Sequence, residues 1–86
     1  MASLEVIGDP VVVCAHFRRG RISPVWFAWK GRRYQVEEIR NRWVTQEGLG
    51  RRYHFAVTVE ECADLYELHL RSETMGWYLG RIDVSG

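Results

Sequence analysis

The chain alternates between apolar and polar positions. In Tyr53-His54-Phe55-Ala56-Val57-Thr58-Val59 one face collects Tyr53, Phe55, Val57 and Val59, and the other shows His54, Ala56 and Thr58. In Leu65-Tyr66-Glu67-Leu68-His69-Leu70-Arg71 the apolar face is Tyr66, Leu68 and Leu70, opposed by Glu67, His69 and Arg71. A period of two is what a strand with one buried face requires. Turn chemistry falls between such runs at hairpin distances. Arg18-Arg19-Gly20-Arg21 separates residues 11–17 from 22–29, and Lys30-Gly31-Arg32 separates that strand from the one opening at Arg33. Glu47-Gly48-Leu49-Gly50 precedes Arg51, and Ser72-Glu73-Thr74-Met75-Gly76 precedes Trp77. Short connections containing Gly between alternating runs read as antiparallel hairpins. Pro24 has no N–H to give to a ladder, which suits a sheet edge or a strand start.

Segment 35–43 departs from the pattern. Val36, Ile39 and Trp43 fall at i, i+3 and i+7, a helical stripe, and Glu37 and Glu38 would then pair with Arg40 or Arg42. The alternative is a strand with one extra residue near Glu37-Glu38, which puts Tyr34 and Val36 on one face with Ile39, Asn41 and Trp43. No capping residue or Gly stop frames a helix, and Tyr34 runs straight on from a hairpin turn, so the bulged strand is the expectation.

About six short strands on 86 residues cannot fill two broad sheets. Curling removes exposed edges. The expected fold is all-β: a small antiparallel β-barrel or strongly twisted half-barrel of about six strands, a single small β domain over residues 1–86. The longest apolar run, Val11-Val12-Val13-Cys14-Ala15, has strand length and is far short of a membrane span. The first ten residues carry Glu5 and Asp9 and lack the order of a secretory signal. The expected address is the cytoplasm of a bacterial cell, with Cys14 and Cys62 as free thiols and no membrane partner.

Several strings look familiar together. They are Pro24-Val25-Trp26-Phe27-Ala28-Trp29-Lys30-Gly31-Arg32-Arg33-Tyr34-Gln35-Val36 with Ile39 and Trp43, then Arg52-Tyr53-His54-Phe55-Ala56-Val57, Tyr66-Glu67-Leu68 and Trp77-Tyr78-Leu79-Gly80-Arg81-Ile82-Asp83. Over most of the chain, from about Asp9 to Asp83, this resembles a family of small bacterial domains of unknown function. Some members of that family are appended to translesion-polymerase-like (Y-family) proteins. The resemblance implies a compact β domain and a DNA-repair setting, and brings no catalytic residues with it. Residues 59–65, with the paired Glu60-Glu61, have no counterpart in the family pattern.

Catalytic constellations are scarce. Cys14-Ala15-His16 offers two metal-ligand types where a zinc site needs about four, and Cys62 stands alone. The serines sit in terminal or turn contexts without a nucleophile elbow. Gly48-Leu49-Gly50 leads into a strand rather than a phosphate-cradling helix. His54, Asp64, Glu67 and His69 could gather an acid and a base, but His54 and His69 lie on polar faces, where exposed cross-strand pairs are ordinary. The sequence thus reads as a non-enzyme, with no cofactor, no metal site and no small-molecule substrate.

Charge adds one thing. The net charge is +1, yet residues 1–58 hold ten basic and five acidic groups while residues 59–86 hold two basic and six acidic. All the basic residues but Lys30 are Arg, whose planar fork suits phosphate and stacks on bases. They cluster at strand ends among Trp26, Trp29, Tyr34 and Trp43, the parts of a single-stranded nucleic-acid surface. At least two of the four Trp belong in the core, and Trp26 and Trp29 face opposite sides of one strand. The candidate nucleic-acid-binding residues are Arg18, Arg19, Arg32, Arg33, Arg51, Arg52, Trp26 and Trp43. The expected function is a binding module acting on nucleic acid through this Arg/aromatic surface. The alternative is a protein–protein interaction or homodimerisation domain, drawing on the opposite-signed halves and an edge strand near Pro24.

Overall fold

Each hairpin is set by its turn. Arg19 and Gly20 (φ 51° and 75°) and Lys30 and Gly31 (φ 51° and 74°) hold both central positions left-handed. This is the two-residue turn whose twist matches paired strands. The computed structural model describes residues 3–85, in which six strands follow one another: β1 (Ser3–Arg18), β2 (Arg21–Trp29), β3 (Arg32–Glu47), β4 (Gly50–Val59), β5 (Cys62–Arg71) and β6 (Gly76–Val84). Every neighbouring pair is antiparallel, and β6 returns to β1, so the sheet closes into a ring. No helix among the described residues is long and apolar enough to cross a membrane. The Glu60-Glu61 pair turns out to be the β4–β5 turn, with Glu61 left-handed (φ 65°) and the Glu60 N–H donating to the Gln35 carbonyl at 3.1 Å.

The ring encloses one core. Phe27, Val57, Leu68 and Leu79 are fully buried, packed with Phe55, Val59, Tyr66 and Ile82. These are the apolar positions of the alternating runs. Phe27 stacks on Tyr34 with ring centroids 4.9 Å apart, and Tyr66 closes the aromatic group 5.4 Å from Tyr34. None of the four Trp is fully buried, contrary to expectation. Trp29 packs against the core while its indole N–H donates to Asp9 Oδ2 at 2.9 Å, so an amphipathic ring covers the core edge with its polar end satisfied.

Two strands are longer than the alternation indicates, 16 residues each, because each serves two neighbours in turn. Residues 3–11 of β1 pair with β6, and residues 12–18 pair with β2. Residues 32–35 of β3 pair with β2, and residues 36–47 pair with β4. Beyond the Trp26–Gln35 pair, β2 and β3 therefore part. Residues 15–18 and 21–24 are left as an arm whose strands pair only with each other among the described residues. Pro24 lies in this arm opposite Ala15, next to the shift in register between Cys14 and Ala15, where β2 has no partner on its other flank.

Segment 35–43 is strand, not helix, and carries two bulges rather than one. The register shifts between Val36 and Glu38 and again between Ile39 and Asn41. The second bulge corrects the expected facing. Ile39 stays inside opposite Val57, but the extra residue Arg40 reverses the faces beyond it, so Arg42 lies inside opposite Phe55 and Trp43 outside opposite His54.

Candidate functional site

The outer face of β3–β6 carries a row of rings. Trp43 pairs with His54, His54 with His69 and His69 with Tyr78, one residue per strand. Trp43 stacks on His54 at 5.0 Å with planes 5° apart, His69 lies 5.5 Å from His54, and Tyr78 stacks on His69 at 5.4 Å. At one end of the row Arg71 covers Tyr78, its guanidinium 4.0 Å from the ring centre. At the other end, no second ring lies over Trp43 among the described residues, and Trp43 is half-exposed.

The two histidines are held neutral. Alternation alone predicts His69 in an exposed pair, but its side of the sheet is roofed by neighbouring rings and it is only 7% exposed. Burial, then Arg52, His54 and Arg71, push its imidazole down to about 4. Arg71 Nε can only donate, so His69 Nε2 accepts at 3.4 Å and the neutral ring carries its proton on Nδ1. Gly80 gives this ring room: a Cβ there would stand 3.4 Å from His69 Nδ1. Burial also lowers His54, whose Nε2 lies 2.8 Å from the Thr45 hydroxyl. The two imidazoles pack against each other and join Trp43 to Tyr78 in one continuous row of rings.

Arginines crowd the end of the ring where the β1–β2, β3–β4 and β5–β6 turns emerge. Two pairs there stand directly opposite each other across strands, Arg18 with Arg21 and Arg52 with Arg71. Like charges so placed repel and lower stability. Arg52 has one long contact with Glu47 at 3.6 Å, an exposed pair of small worth. Arg51 is exposed on the same tip, which is tied to the next hairpin by its amide N–H donating to Ser72 Oγ at 2.8 Å.

Where β2 and β3 part, a cleft of about 300 Å³ opens between Arg21 and Ile22 on one side and Arg42 and Trp43 on the other, with Tyr53 and Phe55 beneath. A second hollow lies on the far side of the β2 start, against Arg18, Arg19 and Arg21. No carboxylate lines either.

The structure divides the sequence-derived set. Arg18, Arg19, Arg51, Arg52 and Trp43 come to the tip end and its outer face. Arg32 and Arg33 lie at the opposite end, sharing a cavity of about 470 Å³ with Glu60, Glu61 and Asp64, and so do not extend the basic surface. Trp26 is capped by Arg33 at 3.9 Å on the outer side of β2, away from the ring row. Arg71, His54, His69 and Tyr78 are absent from the sequence-derived set. The signal that could have found them is present in the runs themselves, because His54, His69 and Tyr78 occupy outward positions of strands joined by short turns. Cys14 is exposed and Cys62 half-buried beside Tyr66, and both are free thiols. No family model, curated protein or solved structure matches the chain.

Proposed function

We propose that this protein is a non-enzymatic binding module for single-stranded nucleic acid, with a bacterial DNA-repair setting as the context the motif resemblance implies. The observation that carries the reading is the coincidence of two Arg–Arg cross-strand pairs, Arg18–Arg21 and Arg52–Arg71, the second offset only by the 3.6 Å contact of Arg52 with Glu47, with a stacked aromatic row on the same end of the ring. Cations facing each other with little compensation suit a polyanion that binds between them, and exposed aromatic faces accept bases of any sequence. In this reading Arg18, Arg19, Arg51, Arg52 and Arg71 meet phosphates, and a base continues the row by stacking on Trp43.

The test is a titration of the protein's own Trp fluorescence with oligo(dT) of about ten nucleotides and with a duplex of equal length. Binding to the single strand at roughly 10 μM or tighter in low salt, weakening as salt rises, is expected. Trp43→Ala should weaken it about tenfold, the worth of one stacked base. A flat titration at low salt removes the reading.

A further inference from the structure

The cleft between β2 and β3 contains a group that the fold leaves unsatisfied. Arg42 is inward-facing because of the bulge at Arg40, and it reaches across the seam so that Nη2 donates to Ser23 Oγ at 3.0 Å. Its Nε is buried without any partner. A buried donor left unpaired costs free energy, more so when charged, and demands an explanation. Arg21 lines the same cleft, no carboxylate does, and apart from His54 the rest of its wall is apolar or aromatic, with Ile22, Trp43, Tyr53 and Phe55. Burial and then Arg21 pull the Arg42 guanidinium below its ordinary value, so the cation sits in surroundings that lack a counter-anion.

The cleft runs from Gly20 at the tip to Arg42, whose bond to Ser23 bridges the seam between the two strands. Behind that, Gln35 Nε2 donates to the Val25 carbonyl at 3.2 Å and the Trp26–Gln35 pair restores the sheet. A terminal phosphate monoester carries close to two negative charges near neutral pH, one more than an internal diester, and so matches two arginines.

Resting on the single-strand reading, we infer that the cleft between β2 and β3 is a strand-end site, in which Arg42 and Arg21 take the terminal phosphate of a nucleic acid while its last base lies against Trp43. Arg42 supplies its guanidinium charge beside that of Arg21, and the apolar and aromatic wall receives the base.

Three oligo(dT) strands of about ten nucleotides decide the matter: 5′-phosphorylated, 3′-phosphorylated and unphosphorylated, each titrated against the protein. One phosphorylated strand should bind about tenfold tighter than the unphosphorylated one, as a charge-assisted hydrogen bond is worth. Arg42→Gln should abolish that preference and leave the affinity for the unphosphorylated strand intact. Arg42→Lys, which keeps the charge without the planar fork, serves if Arg42→Gln fails to fold, and should lose most of the preference. Equal affinity for all three strands overturns the strand-end site while leaving the proposed function standing. Retention of the preference in both variants overturns it as well. Failure of every strand to bind removes the proposed function together with it.

Discussion

His69 is the residue whose chemistry the fold changes most. Its imidazole lies between Tyr78 and His54, with Arg71 donating to it, and burial leads the causes that bring it down to about 4 from an ordinary value of 6.5. The unfolded chain therefore binds a proton in the window between these values that the folded chain refuses, and stability rises with pH across it. Above about pH 6.5 the contribution is complete. It should be lost as pH falls toward 4, by an amount on the order of 2–3 kcal/mol. Urea denaturation at a series of pH values measures this, and His69→Leu should flatten the profile in that interval. A wild-type midpoint constant between pH 6.5 and 4 would contradict the buried neutral ring. The sequence places His69 correctly on the outer face, but alternation says only which side of a strand a residue takes. It does not say whether that side is roofed by its neighbours' rings.

The element that decides the surface is β3. Val36, Ile39 and Trp43 carry a helical spacing in the sequence because two residues, not one, are extra to the strand ladder. Each bulge adds one position and reverses the faces beyond it. With one bulge Trp43 would belong to the core. With two, Arg42 takes that side and Trp43 joins the outer row. Deleting Arg40 should remove the second bulge yet keep Arg42 inside and Trp43 outside, because only the unpaired residue is lost and Asn41 still faces Ala56. The Trp emission and the affinity for oligo(dT) should then stay close to those of the wild type. A shifted emission with a fall in affinity would mean that the deletion slips the ladder by one residue and turns Trp43 inward. The hairpins, the edge position of Pro24 and the inward set of β4 and β5 were legible because short turns and strict alternation fix them locally. Bulge number was not, since it depends on how a long strand bends from β2 onto β4. The long reach of β1 escaped for the same reason.

For the molecule as a whole, near-neutral net charge conceals a polar arrangement. The turns at one end bring Arg18, Arg19, Arg21, Arg51, Arg52 and Arg71 together, whereas Arg32 and Arg33 at the other end share a cavity with three carboxylates. The charge clusters were legible in the sequence, but their distribution over two ends follows from strand order alone. Salt dependence separates the two groups. Neutralising Arg52 or Arg71 should reduce the slope of log affinity against log salt by nearly one unit each. The double change of Arg32→Gln with Arg33→Gln should leave it where it was. A slope that falls equally for both ends would place the polyanion along the whole length of the ring.

The pairing of β1 with β6 has a kinetic consequence. Five of the six strand pairs join neighbours in the chain, and such hairpins form at small entropic cost. The sixth unites Ser3 with Val84 and Val11 with Trp77, segments from opposite ends of the described chain. No partial assembly of hairpins hides the flanks of β1 and β6 until that last meeting occurs. Folding should therefore be slow for so short a chain, in the millisecond-to-second range of domains ruled by distant contacts. The interval before closure is when the two open flanks are free to pair with another chain.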